Sequence, residues 1–318
     1  MKTRIYIDGY NLYYGCLKHT PFKWLDLVTL FEKHLFARSG APYSYLDECQ
    51  GIKYFTADIN DKVAHDENSL KDQLSYHAGL QNYCGKKLDI IKGNYSVDQA
   101  NYPHVDFSQN GQELAPRSCH KVRVWKLEEK QSDVNIAVES LFDVMNDETI
   151  EQVVFVTNDT DLVPVLRKIR MFNESSPRKN KVKIGLVIPS RRKNVEKLGR
   201  KVNKSLSQYA DWTISFIEDS ELEKSLLPNR ISCGKKPQFR PTSWFKHSEK
   251  VALILATLMQ AKDLSSIPKA WRWLSTEKPS PDDLIILPLA PDQLMDDEYW
   301  LDVILEHAEA YVAFKNNV

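Results

Sequence analysis

Short, almost unbroken apolar runs alternate along the first two-thirds of the chain with stretches whose apolar positions recur every three or four residues. The runs are Arg4–Asp8 (RIYID), Gly51–Thr56 (GIKYFT), Leu88–Lys92 (LDIIK), Val153–Asn158 (VVFVTN) and Val182–Ile188 (VKIGLVI). Runs this short and apolar suit strands covered on both faces, as in a parallel sheet between helix layers. Helical spacing falls between them, at Leu25–Phe36, Leu70–Cys84, Ser132–Met145, Leu162–Met171 and Asn194–Tyr209. The alternation predicts a wound α/β fold.

Two stretches break the pattern. Tyr95–Arg117 is polar and carries Pro103, Gly111 and Pro116, which predicts a long loop. Leu227–Ser243 reads as a linker, and the character changes beyond it. A helix is expected over His247–Lys262 and one or two acidic helices over Asp292–Phe314. The predicted organisation is a domain over 1–227, a linker over 228–243 and a small, mostly helical acidic module over 244–318.

The 318 residues carry 43 Lys+Arg and 43 Asp+Glu, so only the distribution of charge is informative. Leu166–Lys204 holds 14 Lys or Arg against Glu174 and Glu196, whereas Pro281 to the C-terminus holds nine acids against Lys315. Phosphate contacts from such a basic band suit a polyanion. Arg191, Arg192, Lys193, Arg200, Lys201 and Lys204 are the candidate nucleic-acid contacts; a solvated helix face is the alternative. The acidic segment could dock on that band, bind a protein partner, mediate self-association or simply cap the fold. With five cysteines, no CxxC pair and no apolar run near ~18 residues, a cytoplasmic protein without a membrane span is expected.

Four acids stand where chemistry is expected. Asp8 and Asp159 end predicted strands, and Asp133 and Asp161 sit at helix starts. Ligands of an open parallel sheet gather at that edge. Two carboxylates ~4 Å apart repel by ~4 kcal/mol at an effective dielectric of 20, so a cluster protonates, spreads or binds a hard cation. Taken singly, each acid could equally be a helix cap. Asn11 and Asn158 are polar neighbours, and Lys130 could steady the acids or pair with Glu128 or Glu129. Tyr10, Tyr13 and Tyr14 could stack on bases or pack in the core.

At these residues the chain resembles the NYN family of PIN-like nucleases. IYIDGYNLYYG (Ile5–Gly15), YFTA (Tyr54–Ala57), QLSYHAGL (Gln73–Leu80), IIKGNYS (Ile90–Ser96), EEKQSDVNIAV (Glu128–Val138), VFVTNDTDLVPVL (Val154–Leu166) and IGLVIP (Ile184–Pro189) are similar to its motifs, in order. Gln131 stands where that family has Gly, Thr157 where Ser is common, and Leu162 where Phe is frequent. The resemblance implies a Rossmann-like three-layer α/β/α sandwich with a mainly parallel sheet. It also implies an Mg²⁺- or Mn²⁺-dependent endoribonuclease acting on single-stranded RNA. Asp8, Asp133, Asp159 and Asp161 would be its catalytic metal ligands, with Asn11, Lys130 and Asn158 supporting. An RNA-binding module with little catalysis is the alternative. An oxidoreductase is a third class, disfavoured because no GxGxxG follows any predicted strand.

Overall fold

The computed structural model describes the chain except residues 42, 62–63, 65, 177–180, 193–199, 235, 277–283, 289–290 and 318. Its centre is a seven-stranded sheet whose pairings are all parallel. The strands are β1 (Lys2–Asp8), β2 (Tyr45–Leu46), β3 (Ile52–Thr56), β4 (Leu88–Lys92), β7 (Gln152–Val156), β8 (Lys183–Val187) and β9 (Trp212–Ile214). They run in the order β4-β3-β1-β7-β8-β9, with β2 paired to the start of β1. Between β4 and β7 the chain forms β5 (Asn94–Pro103) and β6 (Lys121–Lys130), a separate antiparallel ribbon.

Strand alternation explains how one sheet serves two cores. Ile5 and Ile7 of β1 face one layer, packing with Trp24, Leu30, Phe31 and Leu80. Tyr6, between them, faces the other with Ile136, Phe155 and Leu166. Tyr6 stacks on Phe155 at 5.4 Å and on Phe55 at 6.5 Å, tying three neighbouring strands together. The helices Ser69–Cys84, Ser132–Asn146 and Val163–Ser175 lie where periodicity places them. The α/β/α sandwich expected from the sequence is the observed architecture.

A buried charge cluster anchors the Ser132–Asn146 helix to the sheet. Asp143 pairs with Arg4 at 2.9 Å and Lys53 at 2.8 Å, and accepts from the Tyr6 hydroxyl at 2.8 Å. Arg4 also reaches Asp47 and Asp147. The helix begins after Gln131, whose φ of +81° is left-handed. That explains why Gly is the residue suited to this position.

Tyr95–Arg117 is not a plain loop, as expected above; it supplies β5 and part of the turn into β6. Both faces of a free-standing ribbon meet solvent, so polar residues fill both and the alternation is masked. Pairs such as Val97–Leu127 and Tyr102–Val122 carry the residual signal. Of the Asn194–Tyr209 helix, the described part is helical only over Lys204–Ser207. Strand β9 had no counterpart in the sequence reading.

The C-terminal part has its own apolar cluster, including Phe245, Ile254, Trp271, Met295 and Ile304. Its main helices are Ser248–Leu258, Ile267–Leu274 and Glu298–Asn317. Short strands Arg230–Ile231 and Gln238–Phe239 pair just before it. Arg240 then bonds Asp296 at 2.5 Å, Trp244 O at 2.9 Å and Pro21 O at 2.9 Å, joining the two parts. No described helix is long and apolar enough to cross a membrane.

Candidate active site

The sheet order reverses at β1, which lies between β3 and β7. Ligands of such sheets bind in the crevice beyond the carboxyl ends of the strands at this reversal. Asp8 closes β1, and Thr157, Asn158 and Asp159 follow β7.

Asp8 is 3% exposed and fully engaged. Its Oδ1 accepts the Asn11 backbone N–H at 2.9 Å; its Oδ2 accepts Asn11 Nδ2 at 2.5 Å and the Thr157 hydroxyl at 3.0 Å. Thr157 Oγ1 in turn accepts the Asp159 N–H at 3.0 Å, and Asp159 Oδ1 accepts the Asp161 N–H at 3.0 Å. One hydrogen-bonded chain thus links Asn11, Asp8, Thr157, Asp159 and Asp161. Burial raises the Asp8 carboxyl above its ordinary range, opposed by the bonds from Asn11 and Thr157.

Asp133 enters the same crevice from the first turn of its helix. Burial, then the charges of Asp8, Asp159 and Asp161, push it up to about 6. Asp133 and Asp161 line a shallow depression with Val134, Ala137, Thr160 and Pro164. The four predicted acids therefore do share one electrostatic neighbourhood. They do not form a tight ligand set: among the described residues, the only three His, Cys, Asp or Glu with ligand atoms within 4.8 Å of one another lie elsewhere.

Sequence reasoning missed Glu129, near the end of β6. Burial pushes its carboxyl up to about 7, with Asp8 and Asp133 adding to the effect. Its Oε1 is buried without a hydrogen-bond partner, as is Ser132 Oγ. A carboxyl that titrates near neutrality inside a cleft suits proton transfer. The available signal was the Glu128-Glu129 pair beside Lys130, which reads as an ordinary surface run.

The remaining predicted residues divide. Arg200 Nη1 donates to Asn11 Oδ1 at 3.1 Å, so it borders the crevice. Asn158 bonds Lys201 O and the Asn203 N–H, holding the segment after β8 rather than facing a ligand. Lys130 points to Asp98 and Glu128 at 4.0 and 3.8 Å. Arg191 forms a two-pronged pair with Asp219, and Arg192 lies over the Phe216 ring. Lys201 and Lys204 are exposed, and Lys193 lies outside the described residues. Tyr10 stacks on Tyr95 at 6.5 Å and leans on Tyr14, so an aromatic wall stands beside the acids.

No protein-family model matches the chain. It is 36% identical over 291 residues, 88% of each chain, to 6-hydroxy-3-succinoylpyridine 3-monooxygenase HspA of Pseudomonas putida (strain DSM 28022 / S16). The chain belongs to the HspA family. A solved protein of unknown function from Vibrio parahaemolyticus RIMD 2210633, VPA0982, covers 71% of this chain and 96% of its own, at 17% identity and a TM-score of 0.36.

Membership corrects several expectations. The relative is a monooxygenase, so the assignment to NYN nucleases falls, and the RNA-hydrolysing enzyme falls with it. The Mg²⁺ or Mn²⁺ cofactor falls too, because it was tied to phosphodiester hydrolysis. Clustered acids at a sheet edge are compatible with more than one chemistry; the motifs described the scaffold, not the reaction.

A dinucleotide cofactor in this topology would set its pyrophosphate on the helix start after β1. Here Asp8 already accepts the Asn11 N–H, and the effect of Asp8, Asp159 and Asp161 on Asp133 shows a negative neighbourhood. The first βα turn does not fit a pyrophosphate, and no electron-transfer step is assigned to it.

Proposed function

We propose that the chain is a monooxygenase of hydroxylated pyridines bearing an acidic side chain, working at the crevice beyond β1 and β7. The supporting observation is the 36% identity, over 88% of both chains, to 6-hydroxy-3-succinoylpyridine 3-monooxygenase. Oxygen insertion consumes O₂, two electrons and two protons and releases water; a flavin is an organic group suited to that chemistry.

In this reading the residues bind, orient and move a proton. The pyridine ring lies against Tyr10 and Tyr95, a stacked pair at the rim. Glu129, poised near neutrality, takes the ring hydroxyl proton, which raises electron density on the ring before oxygen arrives. Arg200, held by Asn11, meets the substrate carboxylate. Asp8 and Thr157 set the position of Asn11 and hence of Arg200. The enzyme works in the cytoplasm, where reduced electron donors are at hand.

The test is oxygen uptake by the purified chain with 6-hydroxy-3-succinoylpyridine, NADH and flavin, run under ¹⁸O₂. Substrate-dependent uptake with one labelled oxygen in the product is expected. A product without label, or no uptake above background, overturns the reading.

A further inference from the structure

The tip of the β5–β6 ribbon holds a group of side chains that the crevice does not use. Pro103 and Lys121 form the last pair of the ladder, and His104 and Asp106 follow one strand while His120 precedes the other. His104 Nδ1 lies 2.8 Å from Asp106 Oδ1, and His120 Nδ1 lies 2.7 Å from Asp106 Oδ2. The two imidazoles face each other at 4.7 Å and 30°. One ligand atom from each of the three residues falls within 4.8 Å of the others.

The backbone holds this arrangement in place. His104 N donates to His120 O at 2.9 Å, and His120 N to Asp106 Oδ2 at 2.7 Å. Asp106 O accepts from Leu114 N at 2.8 Å, and Phe107 bridges Glu113 across the turn. The donors therefore come from two chain segments already closed on each other.

We propose that His104, Asp106 and His120 form a binding site for a divalent transition ion of the Zn²⁺ class. Imidazole donors select such ions over Mg²⁺ or Ca²⁺. Donors in a tetrahedral site with bonds of ~2.0–2.1 Å stand ~3.3 Å apart. The two His–Asp contacts are about half an ångström shorter than that, and all three ligand atoms lie within 4.8 Å of one another, so a modest turn of these exposed side chains brings them onto one ion. Binding replaces the protons on the coordinating nitrogens, which pass to solvent. With three protein ligands, water completes the sphere.

The ion's role is structural. Ten-residue strands at ~3.3 Å per residue put the tip about 30 Å from the base, where Glu129 and Tyr95 meet the crevice. An isolated two-stranded ribbon is marginal in water, and this one exposes Trp125, Val105 and Phe107. A metal clasp at the tip restrains it.

The experiment uses the full chain freed of metal with a chelator, then titrated with Zn²⁺ by calorimetry and with Co²⁺ by visible absorption. One ion per chain with micromolar or tighter affinity is expected, together with slower trypsin cleavage at Arg117 and Lys121. His104→Ala and His120→Ala should each weaken binding at least tenfold and abolish that protection. Asp106→Asn, which keeps the side chain's size, should weaken it similarly. Failure of the intact chain to bind, or binding and protection indifferent to all three substitutions, overturns the proposal. Both His side chains are more than half exposed, so their replacement leaves the fold intact.

Discussion

The Thr157 hydroxyl donates to Asp8 Oδ2 across the gap between β7 and β1, and Thr157 Oγ1 in turn accepts the Asp159 N–H. A threonine at the end of one strand thus fixes the buried acid at the end of its neighbour. Thr157→Val removes the donor while nearly keeping the shape. The loss of a bond to a buried carboxylate should cost ~1–3 kcal/mol in denaturant unfolding at pH 7. Thr157→Ser should recover most of it, and equal stability of the Val variant and wild type would refute the coupling.

Glu129 gives a prediction in pH. If it must lose its proton to activate the ring hydroxyl, kcat/KM should rise with pH through a limb near 7, where burial has placed this carboxyl. Glu129→Gln should remove that limb and lower the rate by ~10²–10⁴-fold, the usual range for a positioned acid or base. An unchanged profile would exclude the role.

The same carboxyls make the fold less stable as pH rises. Glu129 and Asp133 are raised above their ordinary values of 4.5 and 3.8, so the folded chain binds protons that the unfolded chain has released. Their contribution is fully present below about pH 4 and is lost as pH rises through about 6 for Asp133 and about 7 for Glu129. Asp133→Asn should therefore raise the melting temperature at pH 8 more than at pH 4. A shift of a few degrees corresponds to ~1 kcal/mol for a chain of this size.

Asp143 is the opposite case, a buried acid that the fold requires. Its removal leaves Lys53, whose side chain is 4% exposed, and Arg4 short of a partner. Asp143→Ala should cost ~3–5 kcal/mol, the range for breaking one side of a buried ion cluster. A loss below ~1 kcal/mol by chemical denaturation would show that Asp47 and Asp147, beside Arg4, and Glu139, 2.6 Å from Lys53 Nζ, suffice.

Gln131 adopts a left-handed φ of +81°. Gln131→Gly relieves that conformation and should stabilise the chain by ~1 kcal/mol or leave it unchanged, since glycine also gains freedom when unfolded. Gln131→Val, a β-branched residue, should destabilise it clearly. The ranking Gly above Val in thermal unfolding is the check.

Much of the scaffold could be read from the order of residues because its cause is local. Val153–Val156 is apolar throughout since both faces of an inner parallel strand are covered, and that shows as an unbroken run. Helix periodicity, the strand-end position of Asp8 and the place of Asp159 shortly after β7 follow from equally short-range patterns. The β5–β6 ribbon escaped because solvent on both faces erases alternation. Glu129 escaped because its burial comes from distant stretches of chain.

The sequence by itself determined the layered sheet, the helix positions and the acids that end its strands, because backbone periodicity and burial leave their mark within a few residues. Only the tertiary structure decided which charges meet. It brought Asp8 to Thr157 across 149 positions and Arg200 to Asn11 across 189, and enclosed Glu129 beside Asp8 and Asp133. Proton affinity depends on desolvation and neighbouring charge, and both are set by segments far apart along the chain.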